Sequence, residues 1–195
     1  METEKSDITN NEISIIKTGT INLSDKIIIS DPCYERGIWC AISDFEVMPG
    51  KYETFIIKYA DDCDVRAAAV IAVHSDYIET LDFIWKSHNC EVGVDSGQAG
   101  IFDDSIYPEK GEPKGEYDDE ETFYGECCKL TLSDTQGGIL KNEKGVVSSS
   151  GYGDGCYELF SQYRNGYCIA LMIDFTLADV CVLATDLIND AQIQH

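Results

Sequence analysis

Basic residues are scarce in this chain: 14 lysines and arginines stand against 36 aspartates and glutamates, a formal net charge of -22 over 195 residues. Such a field repels phosphate backbones and anionic headgroups, so nucleic acid and membrane surfaces are excluded as expected partners, while divalent cations and basic proteins are favoured. Neither a Cys-x-x-Cys pair nor a cluster of cysteine with histidine occurs, and zinc or redox-motif chemistry therefore lacks its ligand spacing. No apolar run reaches membrane-spanning length. The first residues, Met1-Glu-Thr-Glu-Lys-Ser-Asp7, carry neither the basic nor the apolar segment of a secretory signal. The nine cysteines are odd in number, and reduced thiols in a cytoplasm are the expectation. Internal repeats are absent as well.

What remains is enough for a core. With 44% hydrophobic residues, the chain has the size and composition of one globular unit, expected as a single β-rich domain over 13–195 behind a polar, disordered tail of residues 1–12. Short β-branched and apolar stretches punctuated by turn residues recur: Ile13–Ile16, Ile21–Leu23, Lys26–Ser30, Lys51–Tyr59, Cys156–Phe160 and Tyr167–Phe175. The alanine- and valine-rich run Val65–Val73 follows the acidic turn Asp61-Asp62-Cys63-Asp64 and is assigned to a strand. One clear helix is expected over 119–132, where the acids of Asp118 to Glu121 suit a helix N-terminus and Phe123, Cys127 and Leu130 make a stripe. The segment from Leu177 to Gln192 reads equally as strand or helix. The pattern predicts a mainly β (α+β) fold, an antiparallel β-sandwich or partly open barrel.

Three acids stand at strand ends or in glycine turns: Asp31 before Pro32, Asp95 before Ser96-Gly97, and Asp154 between Gly153 and Gly155. If these loops share one rim, the carboxylates converge with Asp103, Gln98 and Ser150 into a polar pocket. Oxygen ligands from Asp31, Asp95, Asp103 and Asp154 would suit Mg²⁺ or Ca²⁺; Asp31, Tyr34, Gln98, Ser150 and Tyr152 would hold a small molecule; Asp95, Asp154 and Cys33 are the candidates for catalysis, with hydrolysis as one outcome. The alternative is that each aspartate caps its own turn. Trp39 and Tyr157 could line a pocket or pack in the core.

Taken together, Asp31-Pro-Cys-Tyr34, Pro49-Gly50, Val94-Asp-Ser-Gly-Gln-Ala-Gly-Ile-Phe-Asp103 and Ser149-Ser-Gly-Tyr-Gly-Asp-Gly-Cys-Tyr157 resemble a bacterial and phage family known as domain of unknown function 4241, over roughly residues 18–175. The resemblance implies a bacterial or phage intracellular origin and one domain, and it transfers no activity, cofactor or catalytic residue. Two functional expectations follow from the residues. One is a small-ligand or cation-binding domain with a composite acidic, glycine-loop pocket. The other is an acidic interaction factor, of the immunity or counter-defence type, that binds a basic partner through charge, with residues 116–126 in the contact.

Overall fold

The computed structural model of the protein describes residues 13–193 other than 61–63, 83, 113 and 177–179. The expected tail over 1–12 and the turn at 61–63 lie outside these residues. Among the described residues eleven strands make two antiparallel sheets. The strands are β1 (Ile13–Leu23), β2 (Lys26–Ser30), β3 (Ile42–Glu46), β4 (Gly50–Ala60), β5 (Val65–His74), β6 (Lys86–Val94), β7 (Gln98–Asp103), β8 (Gly137–Ile139), β9 (Gly145–Ser149), β10 (Gly155–Arg164) and β11 (Tyr167–Asp174). The larger sheet runs β1-β4-β5-β11-β10-β6 and the smaller β3-β2-β7-β9-β8. The fold is mainly β, as expected.

Alternation in the strands decides the layers. Ile21, Tyr52, Ile56, Val70, Leu171, Leu159, Val92 and Val94 of the larger sheet meet Ile27, Ile29, Ala99, Ile101 and Val146 of the smaller one in a dry interface. The outer face of the larger sheet is apolar too. Phe55, Ile57, Ile71, Ala170 and Met172 pack beneath helix α2 (Val180–Ile193) through Ala184 and Ile188. That double-sided burial explains why Val65–His74 is almost uniformly Ala, Val and Ile. Helix α1 (Phe123–Thr131) covers the other outer face, where Cys127 joins Ile28, Phe102, Tyr107 and Val147. The molecule is a sandwich with a helix on each side.

Helix α1 starts later than its acidic run suggests. Thr122 is extended at φ -95°, and its hydroxyl accepts the Gly125 amide at 3.2 Å as an N-cap. Asp119 to Thr122 form the turn before it, closed by the Thr122 amide on the Asp119 carbonyl. At the β10–β11 hairpin, Asn165 (φ 52°) and Gly166 (φ 87°) both adopt left-handed backbone, the conformation of a two-residue type I′ turn.

Candidate functional site

The site is built outward from Asp31. Ile27, Ile28 and Ile29 are fully buried, Pro32 ends the strand they form, and Asp31 is left enclosed with no exposed surface. A buried carboxylate needs donors. Asp31 has four: the Cys33 amide at 2.8 Å, the Asp95 amide at 2.9 Å, the Ser96 amide at 2.7 Å and the Ser96 hydroxyl at 2.6 Å. It thereby clamps the end of β2 to the β6–β7 turn. On the other side of that turn Gly97 accepts the Ser150 amide at 2.9 Å, and Val94 pairs with Gly155. Three loops distant in sequence meet at one rim.

Their acids do not share a void. Asp31 spends both oxygens on turn donors. Asp95 follows Val94 and Asp154 precedes Gly155, so both lie one residue beyond the Val94–Gly155 pair, and both are exposed. Asp103 is corrected most clearly: β2 and β7 are antiparallel, with Ile27 opposite Asp103 and Ser30 opposite Gly100, so Asp103 lies at the far end of β7 from Asp31. There it binds the Ser24 amide and the amide and hydroxyl of Ser105. Burial pushes its carboxyl up, but the bonds from Ser105 and Ser24 outweigh this and hold it below the usual range. The four aspartates named for Mg²⁺ or Ca²⁺ are thus not one ligand set, and among the described residues no three His, Cys, Asp or Glu side chains are grouped to hold a metal ion. Two clefts among the described residues lie elsewhere: 320 Å³ between Glu126, Leu130, Ile139 and Lys141, and 180 Å³ between Asp82, Lys86 and Arg164.

The remaining expected residues divide between packing and surface. Gln98 is buried and turned toward α1, where its amide nitrogen donates to the Cys128 sulfur at 3.3 Å and its oxygen accepts from Thr131 at 3.1 Å. The Ser150 hydroxyl donates to the Gly153 carbonyl at 2.6 Å and the Tyr157 hydroxyl to the same carbonyl at 2.8 Å, so both brace the glycine loop. Tyr152 is exposed beneath the Arg66 guanidinium, 5.4 Å from its ring centre. Burial, then the Asp31 charge, pushes the Cys33 thiol up to about 12, which leaves it protonated and a poor nucleophile at neutral pH. Tyr34 reaches the Cys40 thiol and the Asp95 carboxylate, and burial followed by those two neighbours raises its phenol.

Trp39, which the sequence leaves between pocket lining and core packing, is not in the core. It is 88% exposed. Its loop is nevertheless pinned at both flanks. Arg36 donates to the carbonyls of Asp104 and Tyr107, each at 2.9 Å, and pairs with the Asp104 carboxylate, while the Cys40 carbonyl accepts the Gly93 amide at 3.1 Å. Tyr107 adds bonds to the Asp31 and Tyr34 carbonyls at 3.2 and 3.0 Å. At the Cys40–Gly93 contact the β6–β10 ribbon turns one acidic face outward: Glu91 stands directly opposite Glu158, and Asp95 and Asp154 continue the same face past Gly93 and Cys156. Like charges opposite each other on a ladder cost stability. Comparison with protein-family models, with curated proteins and with solved structures finds no match.

Proposed function

We propose that the protein is an acidic interaction module, and that the rim bearing Trp39 docks a basic polypeptide. The observation that carries this reading is a tryptophan held in water by an anchored loop. Leaving an indole exposed forgoes about 4 to 6 kcal/mol of burial, at 150–250 Å² of ring surface and about 25 cal/mol per Å². A loop fastened through Arg36 and Cys40 presents that surface ready to bind, without an ordering cost on association. Tryptophan, with tyrosine and arginine, is enriched at binding hot spots, and guanidinium groups stack on its face.

The charge agrees. Glu91, Glu158, Asp95 and Asp154 form an acidic face on the ribbon that the Trp39 loop contacts through Cys40, in a chain of net charge -22, and complement a segment rich in arginine or lysine. The reading as a small-ligand or cation pocket has less support, because the carboxylate at its centre, Asp31, is saturated by turn donors. The contact is accordingly placed at the Trp39 loop and the β6–β10 ribbon rather than at residues 116–126. Tryptophan emission tests this, since Trp85 is buried and Trp39 is not. Titration with an arginine-rich decapeptide is expected to give a saturable blue shift that a glutamate-rich decapeptide does not. An unchanged spectrum at low salt would overturn the reading.

A further inference from the structure

Cys40 and Cys156 come from segments more than a hundred residues apart and meet at the same residue, one packed on it and the other paired with it. Gly93 of β6 lies directly opposite Cys156 of β10. The side-chain position of residue 93 is empty because it is glycine, and Cys40 fills it: a Cβ built on Gly93 would stand 2.6 Å from the Cys40 Cβ and 3.0 Å from its sulfur. Cys40 is therefore a stand-in for a residue-93 side chain. Directly opposed side chains on an antiparallel ladder have their Cβ atoms about 4.5–5.5 Å apart, against about 3.5–4.5 Å in a disulfide. The Cys40 Cβ is offset by 2.6 Å from the residue-93 Cβ position and its thiol is close enough to act on Cys156 electrostatically, so bridging requires the Cys40 loop to move onto the strand. Cys156 is exposed and Cys40 is 4% exposed, so one thiol is open to solvent and the other is covered.

We propose that Cys40 and Cys156 are a thiol–disulfide exchange site that takes small-molecule disulfides of the glutathione type and closes to an intramolecular bridge. The Cys156 thiolate attacks one sulfur of the oxidised thiol compound, breaking its S–S bond and forming a mixed disulfide. The displaced thiolate takes up the proton that Cys156 gave to solvent. Cys40, deprotonated in turn, attacks the Cys156 sulfur and expels the second small thiol. Two protein thiols are oxidised and one disulfide is reduced to two thiols. The bridge ties the Trp39 loop covalently to β10.

Local electrostatics set the rate. Partial desolvation, then the charge and hydrogen bond of Glu91, hold the Cys156 thiol above its ordinary range. Exchange therefore accelerates with alkaline pH, and Glu91→Gln speeds it at fixed pH.

The test is incubation of the full chain with oxidised glutathione at alkaline pH, followed by intact mass and non-reducing peptide mapping. Wild-type protein is expected to lose two hydrogens and yield a peptide joined through Cys40 and Cys156. Cys40→Ala is expected to stop at one glutathione adduct on Cys156, and Cys156→Ser to show neither bridge nor adduct at Cys40. Cys156 is exposed, so that variant retains the fold and serves as the control. A wild-type chain that keeps a glutathione adduct on Cys156 under the same conditions, or that bridges Cys156 to any other cysteine, overturns the proposal.

Discussion

Asp31 and Ser96 are separated by 65 positions in sequence and joined twice, by the Ser96 amide on one carboxylate oxygen at 2.7 Å and the Ser96 hydroxyl on the other at 2.6 Å. This pairing makes the rim a single object. Asp31→Ala removes the acceptor and leaves the Cys33, Asp95 and Ser96 amides without it in a part-buried setting. The expected loss is about 3 kcal/mol or more, at about 1–3 kcal/mol for each donor left unsatisfied. Urea denaturation measures it, and a loss below about 1 kcal/mol would show that the turn stands without its clamp.

Gly93 is required by its neighbour rather than by its backbone angle. In Gly93→Ala the new methyl meets the Cys40 Cβ at 2.6 Å and must push the loop outward. We expect destabilisation of about 1–3 kcal/mol, as for other overpacked sites, together with faster acrylamide quenching and lower anisotropy of Trp39 emission. Unchanged anisotropy would mean that the loop is held without Cys40.

The Glu91–Glu158 pair should work against the fold. Glu91→Gln removes one of two carboxylates placed directly opposite on β6 and β10 and is expected to raise stability by a few tenths of a kcal/mol, within the range for cross-strand pairs. The same change is expected to weaken an arginine-rich peptide. Opposite signs for stability and binding distinguish an interaction surface from surface acids that serve solubility alone.

His88 supplies an acid-sensitive element. Its ring packs between Phe45 and Tyr163, its Nε2 lies 2.5 Å from the Ser161 hydroxyl, and burial lowers its pKa from the ordinary 6.5. The unfolded chain then binds the proton more readily than the folded one, so this contribution is complete above pH 6.5 and is lost as pH falls through that value toward the lower folded pKa. Denaturant midpoints between pH 7.5 and 5 should fall for the wild type and fall less for His88→Gln. Equal slopes would assign the acid loss to other groups.

The fold was legible because alternation and turn chemistry are local. Lys26–Ser30, Lys51–Tyr59 and Tyr167–Asp174 are strands because their apolar residues face one core or two. The Asn165-Gly166 dipeptide announces its hairpin equally plainly. Residues 180–193 were ambiguous because a helix lying on a sheet is as apolar as a strand there, with Ala184 and Ile188 fully buried. In the site, shared composition correctly marked loops that meet, but composition does not say which way a carboxylate turns. Asp31 turns inward to amides of a distant hairpin, and Asp103 is five residues along β7 at the opposite end. Trp39 lies in Gly-Ile-Trp-Cys-Ala, whose apolar character reads as core, and only the anchors at Arg36 and Cys40 explain why it faces water.

The most direct measurement of the account is calorimetric titration of wild-type protein and Trp39→Ala with the same arginine-rich decapeptide at about 50 mM and about 500 mM salt. The expected result is binding to the wild type that weakens at least tenfold at high salt, and a further loss of at least tenfold in Trp39→Ala at low salt, the effect of removing a hot-spot residue worth about 2 kcal/mol. Equal affinities for the two proteins, with circular dichroism showing both folded, would contradict it.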